Sequence, residues 1–430
     1  MTSGPTPSAT GFVSRLRIDN YKSIAHCDVS LGSLTVLAGY NAAGKTNLLD
    51  ALRFVRDALL LGPGRAISER GGLDSILWRG APSLKVGETR PDSFTISLDL
   101  SLPGVPSGSA QYTLEIGRPS SDEASFAVLH ESCRLDLGEE ASSLRTERVE
   151  PDGEHLTVRG GPPGIAIAAH ELFLPIIGRL EPFPLLLSAL TSPHFYDPDT
   201  DVLRAVDESS SWNRRLGERG EHLGRLLGLL DEHHPAEKER LDSYLRALIP
   251  ASLGMDERRQ GDFSTIQARF WDGPYPVAYW DAVNAGATAA GDPHVARFER
   301  KQLSEGTVRA AAVLAALFQP AALDASIPLL AIEEPELAIH PARVGAMYEA
   351  LHDASLNTQI LVTTQSSELL DDAFVRPENL LLVEMVDGAT RVGGVDEHTR
   401  RYLEENPSQL GDMHRQGQLR PSPSPQEDSR

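Results

Sequence analysis

Apolar and polar positions alternate along FVSRLRIDNYKSI (12–24), the two-residue period of strands with one buried face. The next apolar run, SLTVLAG (33–39), is β-branched and continuous, as a strand buried on both faces would be. From Thr46 the period changes. Leu48, Leu49, Leu52, Val55 and Leu59 recur at helical spacing in TNLLDALRFVRDAL, so residues 13–60 predict strand, strand, loop and helix. SFTISLDLSL, AQYTLEIG, SFAVLHESCRLDL and HLTVRG then alternate between Gly, Pro and Ser clusters over about 92–160, predicting an antiparallel sheet. Helical spacing broken by prolines returns in HELFLPIIGRLEPFPLLLSAL and HLGRLLGLLDEHHPAEKERLDSYLRALIP, predicting a helical insert. STIQARFW and YPVAYW read as short strands, and VRAAAVLAALF as a helix. No fixed-period repeat interrupts this order.

Composition narrows the class. The chain of 430 residues is 40% hydrophobic and 23% charged, ordinary for a globular protein able to bury a sizeable core. No apolar run approaches the roughly twenty residues of a membrane helix, and MTSGPTPSATG lacks a signal pattern, so the expectation is a cytoplasmic protein with no membrane partner. A net charge of −21 argues against a broadly basic nucleic-acid surface but leaves room for a local groove. Arg214, Arg215, Arg297, Arg300 and Lys301 read as solvated helix faces. Cys27 and Cys133 are too few for a disulfide framework and read as buried, inert thiols, and His233 and His234 as a polar helix end. PSPSPQEDSR reads as a disordered end.

The loop between the buried strand and the helix carries the chemistry. GYNAAGKT fits G-x-x-x-x-G-K-[ST], with Gly39, Tyr40, Asn41, Ala42, Ala43, Gly44, Lys45, Thr46 and the following Asn47 as candidate nucleotide-binding residues. In such a loop the glycines turn backbone N–H groups toward phosphate oxygens, Lys45 adds positive charge, and Thr46 offers a hydroxyl to Mg²⁺. A helix N-terminus behind the loop favours the same anion.

Three later segments are candidates to complete the site, although alone EEPE also reads as a charged loop after a buried strand and LSEGT as a bare helix N-cap. IPLLAIEEPE is an apolar strand ending in Glu333, a candidate metal residue, and Glu334, a candidate to activate water. In QLSEGTVRAAAVLAALF, Ser304 stands where a helix N-cap belongs, with Gly306 in the first turn. In TQILVTTQSSELLDD, Gln365 follows a strand and is placed to reach a γ-phosphate.

The loop, LSEGT, EEPE followed by IHP, and TTQS occur in the order of ABC-type ATPases, and the chain closely resembles the predicted AAA-family ATPases grouped with RecF, SMC and OLD-type proteins. LRIDNYKSIAHCDVSLGSLTVLAGYNAAGKTNLLDAL, GERGEHLGRLLGLL and QLGDMHRQGQL are each similar to segments of that group. The resemblance implies an α/β P-loop NTPase of ABC type with a β-rich lobe and an inserted helical lobe. It divides the chain into a tail (1–11), an N-terminal head part with the phosphate loop and β lobe (12–165), a mainly helical insert (166–285), a C-terminal head part (286–400) and an end segment (401–430). It also implies that Lys45 and the loop bind ATP, that Thr46 and Glu333 serve Mg²⁺, and that Glu334 activates water. Ser304 and Gly306 act in trans, across a homodimer that sandwiches nucleotide.

Two departures from the group's pattern bear on rate. Glu333 replaces the usual Asp, and Gln365 the usual His; an amide orients water but cannot carry a proton, which predicts slow or gated hydrolysis. ISERGGLDSILWRG lacks the Mg²⁺-sensing Gln of ABC heads, and Arg70 there reads either as a surface arginine or as a sensor. Residues 366–430 are too few for the nuclease domain of OLD-type proteins, so a separately encoded effector, such as a nuclease in a defence system, is expected, with DNA a further candidate partner in repair. Two other readings stand beside the ATPase: a nucleotide-gated scaffold with little hydrolysis, and a P-loop kinase, against which EEPE and LSEGT argue.

Overall fold

A computed structural model of the chain describes residues 10–80, 90–102, 105, 108–119, 125–137, 144–149, 167–208, 215–274, 279–280, 283, 294–371 and 375–422. HLTVRG, Arg214, most of the N-terminal tail and most of PSPSPQEDSR lie outside those residues. The chain forms two compact units, one of Met1–Pro193, Arg376–Glu405 and Gly417–Arg430, the other of His194–Val375 and Asn406–Gln416.

The first unit opens with β1 (Thr10–Tyr21), β2 (Ile24–Gly32) and β3 (Leu34–Ala38). β1 and β2 form an antiparallel hairpin whose last pair is Tyr21 and Ile24, with Lys22 and Ser23 at the tip. Further strands β4 (Ser93–Ser101), β5 (Ser109–Gly117), β6 (Ala127–Asp136) and β7 (Leu144–Val149) extend that hairpin into an antiparallel sheet in the order β2-β1-β4-β5-β6-β7. The alternation seen in the sequence is its inside–outside pattern: Phe94, Ile96, Leu98 and Leu100 are buried along β4 while the residues between them are partly exposed. Tyr21, Phe54 and Phe94 meet edge to face, with ring centroids 5.2–5.9 Å apart, and so tie this sheet to the helix Lys45–Leu61. Both cysteines are buried in the sheet, and burial pushes the Cys27 thiol up to about 12.

Arg70 corrects its surface reading. Its side chain is only 7% exposed and pairs with Asp50 and Asp57 of the helix Lys45–Leu61, over the ring of Phe54. Burial works to raise the Asp50 carboxyl, but hydrogen bonds and charge from Arg70 and Lys22 outweigh it and hold Asp50 below its ordinary value. Arg70 is a brace between the helix Lys45–Leu61 and the short helix Pro63–Glu69 that follows it.

In the second unit, β8 (His194–Tyr196) is followed by β9 (Asp207–Glu208), β10 (Ser252–Gln260), β11 (Phe263–Trp271), β12 (Val295–Glu299), β13 (Leu329–Glu333) and β14 (Gln359–Thr364). β8, β13 and β14 run parallel, whereas β10, β11 and β12 form an antiparallel sheet with β9 on β11. The helix Glu305–Phe318 is buried at every position from Gly306 onward, which explains its Ala-rich, unstriped sequence. Helices Leu223–His233 and Pro235–Leu248 pack on β10. β10 was not legible, because its first four residues are all buried and show no alternation. Tyr279 and Trp280 are helical rather than extended, and Arg297 sits on β12 rather than on a helix.

The chain returns to the first unit with β15 (Leu380–Val386), parallel to β3, and β16 (Ala389–Gly393), antiparallel to β15. Among the described residues no helix is long and apolar enough to cross a membrane.

Candidate functional site

In the first unit the chain leaves β3 at Gly39 and enters the helix at Lys45. Ala42 and Gly44 adopt left-handed backbone, with φ 62° and 102°, which turns the loop in place. Two glycines are demanded by space. A Cβ on Gly39 would lie 2.2 Å from the Val383 carbonyl oxygen, and one on Gly44 2.0 Å from Thr390 Oγ1. Lys45 Nζ donates to the Gly39 and Tyr40 carbonyls at 2.7 and 3.1 Å, so a buried ammonium is folded across the loop. The helix behind it has 17 residues and no acidic residue in its first turn. Lysine charge, loop backbone and the positive end of a helix dipole thus act in one place, and these residues fit a phosphate chain.

A chain of hydroxyls fastens the loop from beneath. Asn47 Nδ2 donates to Ser23 Oγ at 2.6 Å, Ser23 Oγ and Thr390 Oγ1 share a hydrogen bond at 2.7 Å, and Thr390 Oγ1 donates to the Ala43 carbonyl at 2.9 Å. The backbone N–H of Thr390 closes the link to the Ser23 carbonyl at 2.7 Å. Ser23 and Thr390 were not found from the sequence. Ser23 had a weak signal, a polar residue in the Asn-Tyr-Lys-Ser stretch between two strand-like segments, whereas Thr390 had none.

In the second unit the carboxyl ends of β13 and β14 lie side by side, with Glu333 opposite Thr363. The chain turns sharply after Glu333: Glu334 has φ 43°, and its N–H donates to the Thr363 carbonyl at 3.1 Å. This turn brings two of the expected residues together, since Gln365 Nε2 donates to Glu334 Oε2 at 2.8 Å. Behind them Thr364 Oγ1 donates to the buried carboxylate of Glu336. Glu336 was not singled out from the sequence; its signal was the third acid of EEPE.

Ser304 is the N-cap expected of it, its Oγ accepting from the Thr307 N–H at 3.2 Å. Gly306 is buried against the loop that follows Glu334, where a Cβ would lie 2.1 Å from the Ala338 carbonyl oxygen. Ser304 itself is exposed at the helix end.

The chain is similar in fold to solved heads of Smc proteins. One, an Smc head bound to the C-winged helix domain of ScpA, matches with TM-score 0.54 at 13% identity, covering 90% of this chain and 99% of that one. Another, from Pyrococcus furiosus, is an Smc head with an extended coiled coil bound to the C-terminal domain of ScpA; it matches with TM-score 0.50 at 13% identity, covering 92% and 99%. No curated protein matches the chain. Residues 34–371, from the strand before the phosphate loop to the helix after Gln365, match the family described as AAA domain, putative AbiEii toxin, Type IV TA system, and the chain belongs to that family.

Proposed function

We propose that the chain binds ATP in the loop Gly39–Thr46 and hydrolyses it with Glu334 as base and Gln365 as the partner that orients it. The observation that carries this reading is the 2.8 Å hydrogen bond from the Gln365 amide to Glu334. A carboxylate held by one oxygen keeps its other oxygen for a water, and the Gln365 carbonyl is left to accept that water's second hydrogen. Glu334 takes the proton as the water oxygen bonds to the γ-phosphorus, and the bond to the bridging oxygen breaks with its electron pair leaving on ADP.

Thr46 and Glu333 are the residues that would hold Mg²⁺. Mg²⁺ supplies neutralisation of phosphate charge, and it typically takes one or two protein ligands with phosphate oxygens and waters completing its shell. Glu333 is one methylene longer than aspartate, and Gln365 carries no proton, so turnover is slow or gated.

Ser304 and Gly306 act in trans. An exposed helix N-terminus capped by Ser304 suits a γ-phosphate held by a second copy of the chain, and ATP then joins a homodimer that hydrolysis releases. The Smc heads of similar fold are bound to ScpA, and here the corresponding output is a partner effector or DNA. Steady-state phosphate release from Gln365→Ala tests the pair: kcat falls about 10²-fold with ATP binding retained, and an unchanged kcat would overturn the role given to Gln365.

A further inference from the structure

We propose that the C-terminal helix Leu410–Arg415 positions Gln365, with His414 as the positioning residue. The inference rests on the reading that Gln365 orients Glu334, and it gives a role to QLGDMHRQGQL, which no step so far uses.

Gln365 lies between two fastened points. On its N-terminal side Thr364 is fully buried, donates to Glu336 and accepts the Ser366 N–H at 2.9 Å. On its C-terminal side Ser367 opens the helix Ser367–Leu370, and its Oγ lies 2.8 Å from His414 Nδ1. Ser367 and His414 are 8% and 5% exposed, so water does not compete for this bond. The rest of the contact is equally close. Arg415 pairs with Asp371, and a Cβ on Gly411 would lie 1.8 Å from Asp371 Oδ1 and 2.7 Å from the Ser367 carbonyl oxygen.

The consequence follows from distance. Only Ser366 separates Gln365 from Ser367, whose Oγ His414 holds, so the bond to the imidazole restrains the backbone on the C-terminal side of Gln365. The Gln365–Glu334 bond at 2.8 Å weakens steeply with displacement, and a shift of about 1 Å at a reacting group costs up to 10²-fold in rate. An aliphatic residue would serve packing at position 414 as well as histidine does. A directional bond to Ser367 requires a polar atom where Nδ1 stands.

The test measures kcat, KM and equilibrium ATP binding in the full chain for His414→Ala, His414→Asn, Gly411→Ala, Gln365→Ala and the double variant His414→Ala/Gln365→Ala. Asparagine places a polar atom near the position of Nδ1. His414→Ala is expected to lower kcat about tenfold with KM changed by less than about twofold, and His414→Asn to recover most of the loss. Gly411→Ala is expected to lower kcat in the same direction, although alanine favours helix, because the added Cβ separates the two helices. In the Gln365→Ala background His414→Ala is expected to have no further effect. A wild-type kcat in His414→Ala, or a full additional loss in the double variant, overturns the positioning role while Gln365 keeps its own. A wild-type kcat in Gln365→Ala overturns the reading of the pair and this proposal with it. Should His414→Ala lose ATP binding through misfolding, His414→Asn and Gly411→Ala decide: wild-type kcat in Gly411→Ala contradicts the proposal.

Discussion

Single residues in the phosphate loop are fixed by space and hydrogen bonding at once. Gly44 combines φ 102° with a site where a Cβ would meet both Thr390 Oγ1, at 2.0 Å, and Ser23 Oγ, at 2.9 Å. Gly44→Ala therefore costs about 1–2 kcal/mol in backbone strain and breaks the hydroxyl chain beneath the loop as well. Its expected outcome, read by isothermal titration, is loss of ATP binding by at least about tenfold; wild-type affinity would show that the loop tolerates a side chain there. These glycines were legible as a motif, but the reason each is needed was not. Val383 and Thr390, which forbid a Cβ at Gly39 and Gly44, are more than three hundred residues away in sequence and gave no local sign.

At the scale of elements, strength of pattern decided what could be read. Strands with one solvated face, such as β4 and β5, declare themselves by alternation, and the helix Lys45–Leu61 by its apolar stripe. β10 has no alternation over its buried first half, and Tyr279–Trp280 offered aromatic β-propensity yet are helical, because tertiary packing overrides such preferences. Arg70 belongs to this scale too. It joins two helices through Asp50 and Asp57, and removing it leaves the buried Asp50 without its main partner and Asp57 with Arg56 alone. Arg70→Ala is expected to destabilise by about 3–5 kcal/mol at neutral pH, read by denaturant unfolding. The sign with pH follows from Asp50, whose folded value is depressed. Its stabilisation is present above the unfolded carboxyl value of about 3.9 and is lost as pH falls through the lower folded value, so the gap between wild type and Arg70→Ala narrows in acid. A gap that stays constant down to pH 3 would contradict the brace.

For the whole molecule, the phosphate loop lies in one compact unit and Ser304, Gly306, Glu333, Glu334 and Gln365 in the other. Motif order and residue types were visible in the sequence, as were an acid and an amide each at the end of a strand; that the two strands are neighbours was not. The hydrogen bond between Glu334 and Gln365 was not, since it depends on the turn at Glu334, with φ 43°. Action in trans has its own test. Lys45→Ala removes the loop's charge and Ser304→Arg blocks the helix end, so each alone is expected to be inactive. Mixed in equal amounts they form heterodimers with one intact composite site, and roughly a quarter of wild-type turnover should return. No recovery on mixing, with dimers present by sedimentation, would place the signature in its own protomer's site.

The most direct measurement of the central claim is phosphate release by the wild-type chain and by Glu334→Gln under saturating ATP and Mg²⁺, with ATP binding measured on both. Expected are slow but measurable release by the wild type, a loss of at least about 10²-fold in Glu334→Gln, and unchanged ATP affinity. Equal release by the two proteins would contradict that claim and leave a nucleotide-binding scaffold that does not depend on hydrolysis.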